Sequence, residues 1–556
     1  MYSIIEMKKL LKHWEMGFFI VLTILFISLN FIPLIVHSYS SPPDRFYALV
    51  HDNENDYYLY LSLINEGIHG DTLTTNPYDI VPSQASLVSI FFVFLGKIGG
   101  LLGLSSPIIY HAARLIFGFT MLASAYVLLY EMFPKGKRLI SFLLMLVAGS
   151  FMRTEMYEGK AYPHQYMEWW RGADVLRRVA FYPHHLFGAT CMIITVICLF
   201  RFLKKPRWAY IVIATISSTL AGIVHPPSSL IPIIALGASV VIMSLIHIRE
   251  FGEFFSFHKK KIAGLLFYGV GSIPSFLLIR YQTTLGYPWN QLGTEVRWQF
   301  EFDKELIPGL GIVVWFAFIG IFKIVKNVGS LSDIDTLKRI YIVCWFVVPI
   351  MLMPLAPMMG ISNIRLFQGY PYLPMGILAA FGVEWIAHAL HARSKFGRNF
   401  IFATIVGVII LMCLPTIFYS FRGMMQEHSV PYSNIYPPQS LNNIGQWLTQ
   451  EYRQTKEKPT ILANFYVGNY LPAFAPVRVY TGHHTYTPDR EVRAETARKF
   501  LSGEMSRDEA STLLTSHGIR YVVISEDEGW GDANTYPELL APVVKSGSYV
   551  VYTPKQ

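Results

Sequence analysis

The chain has 556 residues, of which 53% are hydrophobic and only 15% charged, and its mean hydropathy is +0.37. That is more apolar surface than a soluble core of this size buries, and the formal charge of +9 is spread through short segments between apolar runs. Composition therefore points to a polytopic membrane protein and excludes a nucleic-acid-binding one, which would gather its basic residues on one soluble face.

Residues 15–37 follow the basic KKLLKH and lack a small-residue cleavage site, so they read as an uncleaved signal anchor with a cytoplasmic N-terminus. The next stretch, HDNENDYYLY (51–60), places Asp52, Glu54 and Asp56 within five positions. On a helix Asp52 and Asp56 share a face and repel, while Glu54 points elsewhere. Carboxylates at a membrane surface can act as a general base on a hydroxyl, hold a divalent metal such as Mg or Mn, or relay protons. The plainer alternatives are an acidic first helical turn favoured by the helix dipole, or simple solvation. Segment 84–104 is apolar enough to span, but counting it would put the acidic loop and EMFPKGKR on one side. It reads instead as an interfacial or re-entrant helix.

Further spans are expected near 107–130, 137–152, 185–203, 208–224, 228–248, 262–281, 308–326, 339–359, 371–391 and 399–420, about eleven with the anchor. Short loops rich in Lys and Arg, such as EMFPKGKR, RFLKKPRW and HARSKFGR, alternate along the chain and mark the cytoplasmic side. The outer loops are then 38–106, 153–184 and 282–307, with everything after residue 420 outside as well. The stretch 153–185 carries Arg153, Arg171, Arg177, Arg178, Trp169, Trp170 and the pair His184 and His185. It is either a folded surface at the membrane boundary or an aromatic belt with snorkelling arginines. NIRLFQG puts Arg365 just before an apolar run, at headgroup depth, where it either binds a lipid phosphate or snorkels. Cys191, Cys198, Cys344 and Cys413 all fall inside apolar runs and read as packed hydrophobes.

From about residue 436 the runs shorten. SLNNIGQWLTQEYRQ, DREVRAETARKFLSG and SRDEASTLLTSHG read as helices, and PTILANF, VRVYTG, IRYVVIS and SYVVYT as strands, which makes a small α/β domain over 421–556. YVGNYLP lacks the spacing of a phosphate-binding glycine loop, so no nucleotide site is expected there. His483 and His484 in YTGHHTYTP either overhang a site or pack in a loop on the sheet.

The succession ENDYYLYLSLINEGIHGDTLTTNPYD, interfacial segment and LSSPIIYHAARLIFGF resembles the start of the GT-C glycosyltransferase superfamily, whose first outer loop carries acidic residues. NIRLFQGYPYLPMGILAAFG resembles the late outer segment where such enzymes hold an arginine near a lipid phosphate, and the tail around ANFYVGNYLPAFAPVRVYTGHH looks like the extracytoplasmic domain of bacterial members. The resemblance implies a GT-C-like membrane domain over 1–420 followed by an extracytoplasmic α/β domain. It also implies inverting transfer of a sugar from a polyprenyl-phosphate donor to a glycan, lipid or protein acceptor at a cell membrane. In that setting Asp56, Asp52 and Glu54 are the expected catalytic carboxylates, with Asp52 and Asp56 the candidate metal ligands. Arg365 is expected on the donor phosphate, and His184, His185, Arg178 and Tyr57 beside the substrates. DNENDYY has no Asp-x-Asp or Asp-Glu pair and so does not single out one carboxylate. The competing readings are a transporter or flippase of lipid-linked precursors, and a non-catalytic assembly protein; transport asks for ionisable groups at mid-membrane depth.

Overall fold

The computed structural model describes residues 4–134, 136–168, 170–246, 259–291, 299–300, 305–329, 333–392, 396–428, 434–525 and 536–555, with side chains from residue 14 onward. Among the described residues nine helices are long and apolar enough to cross a bilayer: Trp14–Tyr39, Ser106–Met132, Pro183–Lys204, Pro226–Ile246, Lys259–Gln282, Leu306–Lys326, Ile334–Met359, Tyr372–His391 and Arg398–Glu427. The other two expected spans are shorter. Trp208–Val224 has 17 residues and Lys137–Val147 has 11; at about 1.5 Å per residue the latter reaches roughly 17 Å, well short of a hydrocarbon core of about 30 Å. All four cysteines are buried, as packed hydrophobes should be.

The chain divides into two compact units. The first comprises Met1–Phe31, Arg114–Leu278 and Glu295–Met425. Besides most of the long helices it holds an antiparallel hairpin, β1 (Met152–Tyr157) and β2 (Lys160–Gln165). Glu158 (φ 49°) and Gly159 (φ 75°) turn it, the paired positive φ values that match hairpin twist. Arg153 anchors the hairpin through Glu155 at 2.7 Å and Glu305 at 2.6 Å.

The second unit comprises Ile32–Ala113, Ile279–Thr294 and Gln426–Gln556. Its sheet contains β3 (Thr460–Leu462), β4 (Arg478–Val479), β5 (Tyr521–Ser525), β6 (Leu540–Ser546) and β7 (Tyr549–Pro554), in the order β4-β3-β5-β7-β6. β3 is parallel to β4 and β5, and β7 is antiparallel to β5 and β6. Helices Gln439–Thr455, Arg490–Leu501 and Arg507–Ser516 form where the polar-apolar pattern places them, the last with a Ser506/Glu509 capping box. Two elements depart from the sequence reading. YVGNYLP lies in a helix, Phe465–Phe474, capped by Asn464, whose side chain accepts from the Val467 N–H at 2.8 Å, and LAPVVKS forms β6.

Residues 32–113 pack with the tail, for a reason visible in their hydrogen bonds. Phe46 N–H donates to Pro437 O at 3.2 Å and Ala48 N–H to Ile435 O at 3.0 Å. Lys458 pairs with Asp71 at 2.6 Å and Glu66 at 3.2 Å, and Arg493 with Asp79 at 2.9 Å. Ile80 completes the tail's core beside Leu462, Phe500 and Val522.

Segment 84–104 contributes a 12-residue helix, Ile90–Leu101, about 18 Å long and too short to span. It crosses helix Glu54–Ile68 at backbone contact, since a Cβ on Gly96 would stand 2.0 Å from Ile64 O and one on Gly67 2.1 Å from Val93 O. Small residues are what let two helices approach this closely. Gly96→Ala should therefore force the pair apart and cost about 1–3 kcal/mol, lowering the thermal unfolding midpoint of the purified protein. Gly407→Ala, where a Cβ meets nothing within 4 Å, serves as the neutral control; equal midpoints for the two variants would refute the contact.

Candidate functional site

In the second unit the helix bearing the acidic motif begins at Glu54, because Asn53 caps it, accepting from the Asn55 N–H at 3.0 Å. Asp52 lies before the cap, 8% exposed, with a left-handed φ of 61°. Asp52 and Asp56 therefore do not share a helical face, contrary to the expectation from spacing. Glu54 and Asp56 occupy the first turn, half-buried, where the dipole favours negative charge.

The preceding loop is held by side chains. Tyr57 donates its hydroxyl to Ala48 O at 2.9 Å, His111 Nε2 to Leu49 O at 2.8 Å and Tyr47 its hydroxyl to Val50 O at 2.7 Å. Tyr57, expected at the substrate, is fully buried and supports the loop. Nearby, the charge of Glu54 reaches His484, which is exposed, bonded to Arg490 and set against Phe465 with ring centroids 5.1 Å apart. His483 turns inward, its Nδ1 accepting from the Thr485 and Tyr486 N–H groups at 3.1 Å each, and burial, then His484, pushes it down to about 3. Among the described residues no group of three or more His, Cys, Asp or Glu side chains is arranged to hold a metal ion.

The first unit contains a pocket of about 470 Å³, counted to its open mouth. Its walls are aromatic (Trp170, Phe181, Phe367, Tyr370 and Tyr372), and its polar lining includes Arg178, His185, His225 and Gln368. The ring centroids of His185 and His225 are 4.2 Å apart, those of His184 and His185 4.5 Å, and those of His184 and His225 6.2 Å. Arg365 donates to Gln368 Oε1 at 3.1 Å, and its charge is felt by all three imidazoles. Four residues singled out from separate stretches of sequence, Arg178, His184, His185 and Arg365, are thus gathered at one place.

Arg178, however, has a task of its own. It is 3% exposed, its Nη2 donates to Met145 O at 3.1 Å, Leu146 O at 2.8 Å and Ala148 O, and its guanidinium lies 3.8 Å from the centre of the Tyr372 ring. It caps the end of helix Lys137–Val147 while forming part of the pocket wall. Sequence reasoning missed His225 and Gln368 as pocket residues. The signal at His225 was the Pro-Pro that follows it: Trp208–Val224 ends at the histidine, and Pro226–Ile246 begins immediately after.

No family model matches the chain, and no curated protein matches it in sequence. Solved structures match it in fold. The oligosaccharyltransferase AglB of Archaeoglobus fulgidus, in complex with an inhibitory peptide and a dolichol-phosphate, aligns over 98% of this chain and 74% of its own at 13% identity and a TM-score of 0.53. The same enzyme tethered to an acceptor peptide gives 98%, 74%, 13% and 0.55, and it has also been solved with Zn and sulfate. The mycobacterial arabinofuranosyltransferase AftD aligns over 95% of this chain and 41% of its own at 12% identity and a TM-score of 0.50. The chain therefore shares the fold of these solved structures, a mostly helical body with a C-terminal β-sheet region.

Removing the Arg178 guanidinium leaves buried carbonyls unpaired, so Arg178→Gln should cost about 3 kcal/mol or more and depress the thermal midpoint and yield. Arg365→Gln should leave both near the parental values. A fully stable Arg178→Gln protein would show that the guanidinium is not needed to close the helix.

Proposed function

We propose that the chain is an inverting membrane glycosyltransferase that moves a sugar from a polyprenyl-phosphate donor to an extracytoplasmic glycan, lipid or protein. The observation that carries this reading is the fold, shared with enzymes solved with a dolichol-phosphate or an acceptor peptide. The N-terminus is then cytoplasmic and the tail extracytoplasmic, in keeping with the basic loops. Arg365 with the neighbouring histidines suits the donor phosphate, because a guanidinium engages phosphate oxygens through a planar fork and the aromatic walls exclude water. A carboxylate of the acidic loop, Asp56 first, with Asp52 and Glu54 beside it in sequence, takes the proton of the acceptor hydroxyl. Asp52 and Asp56 are the candidate ligands of a divalent metal, and chelation with re-addition of Mg or Mn is the direct check.

Transport finds less support. The polar seam of Ser218, Ser229, Ser272 and Tyr268 between membrane helices is buried and bonded to itself, with Ser218–Ser229 at 2.8 Å and Ser272–Ser218 at 3.2 Å. Such contacts join helices.

Purified protein given a panel of polyprenyl-phosphate sugars should release polyprenyl phosphate in the presence of an acceptor; release from none of them, with the lipid instead moved between leaflets of a vesicle, would favour transport. Asp56→Asn should lower turnover by roughly 10²–10⁴-fold with donor binding retained, and parental turnover would remove Asp56 from the chemistry. Arg365→Lys keeps charge without the fork and Arg365→Gln loses both. Donor affinity should fall in both, by roughly tenfold or more for Gln, corresponding to a charge-assisted contact of about 1.5–3 kcal/mol. Unchanged donor affinity in both would make Arg365 an interface anchor.

A further inference from the structure

His225 stands apart from the other polar groups of the pocket. It is 4% exposed and lines the cavity, and its Nδ1 is engaged with Ser228 Oγ at 2.8 Å while its Nε2 makes no hydrogen bond. The Gln368 side chain lies close enough to influence the imidazole, while its Oε1 accepts from Arg365. A buried ring nitrogen without a partner, aimed into a cavity, is costly unless a ligand completes it. Gly188 packs against the ring so closely that a Cβ there would stand 2.8 Å from His225 Cβ, which fixes the imidazole in place.

We propose that His225 takes up a proton when the departing phosphate gains its second negative charge, so that the pocket binds a phosphate monoester dianion as a partner of both Arg365 and an imidazolium. The inference rests on the phosphate reading of this pocket. In the transfer, the bond from the sugar C1 to the phosphate oxygen breaks and its electron pair stays on that oxygen. A bond forms from C1 to the acceptor oxygen, and the acceptor's proton passes to a carboxylate. The phosphate thereby changes from a monoanionic diester to a dianionic monoester. Arg365 supplies one positive charge, and a second has to come from elsewhere. The charged and titratable groups around His225 are His184 and His185 on helix Pro183–Lys204, Arg365 on the segment before Gln368, and Arg178, Tyr370 and Tyr372 of the pocket wall. Burial, and then the charge of Arg365, disfavour a proton on His225 until an anion arrives beside it. Ser228, which can accept from Nδ1, keeps the other nitrogen directed at the ligand.

Binding of two probes to the purified protein in nanodiscs tests this: a short-chain polyprenyl monophosphate, and its methyl diester, which carries a single charge at every pH used. Between pH 7.5 and 9 the monoester is already a dianion, so its own titration does not enter. The wild-type protein should bind the monoester more tightly as pH falls, by up to about tenfold per unit for one proton taken up. Calorimetry in buffers of different ionisation heat should count about one proton, and diester binding should be flat. His225→Gln, which places a non-titrating amide near Nε2, should flatten the monoester profile and count no proton, while diester affinity stays within about twofold. His225→Asn, which keeps a polar group toward Ser228, guards against a folding artefact and should behave the same way. A flat wild-type profile, a slope that survives in both variants, or an equal slope for the diester overturns the proposal while leaving the phosphate site standing. Failure of the wild type to bind either probe overturns the phosphate reading itself, and this proposal with it.

Discussion

The buried guanidinium of Arg178 is the contact on which the pocket-bearing unit turns. A helix that ends inside a membrane protein leaves carbonyls that neither water nor a continuing helix can satisfy. One Arg178 nitrogen serves Met145, Leu146 and Ala148 together, and the guanidinium also covers the Tyr372 ring. The helix can therefore stop after 11 residues, and the chain leaves Ala148 in extended form toward the hairpin. A lysine, a point charge on a flexible stem, would have no planar group to lay on the Tyr372 ring while its nitrogen served these carbonyls. The pocket wall at Tyr372 and Gly172 is thus set by a capping interaction.

Within that wall the balance of forces is typical of sites that hold a ligand with one charged group. Aromatic side chains dominate the lining, and the few polar groups are oriented by partners: Gln368 by Arg365 and His225 by Ser228. Two imidazoles and the Arg178 guanidinium in the lining, with His184 and the charge of Arg365 close by, make a place that favours an anion.

The acidic loop of the second unit is organised by strain and its compensation. Leu49 and Asp52 both adopt left-handed φ, near 60°, at about 1–2 kcal/mol each. Three consecutive carbonyls bonded by Tyr57, His111 and Tyr47 over-determine the loop and hold it there. Strain of this kind persists where the exact direction of a side chain matters, and the side chains it directs are those of the 51–56 motif.

The membrane character, the position of every long apolar helix and most elements of the tail were legible in sequence, because they rest on local quantities: run length, apolar period and capping residues such as Ser506 with Glu509. The candidate site was legible only in part. Arg365, His184 and His185 stand out in sequence as ionisable groups beside apolar runs, whereas nothing local shows that Tyr57 is fully buried. Hydrophobic period cannot reveal that 32–113 folds with the tail, since that pairing depends on backbone contacts such as Ala48 with Ile435, almost 400 positions apart. Nor can it show which arginine caps a helix. By itself the sequence determined which segments must leave water and which residues carry charge. Only the tertiary structure decided which charges meet, because Arg178 and Arg365 differ in where their guanidinium groups find partners: buried backbone carbonyls for one, and the Gln368 side chain of a pocket for the other.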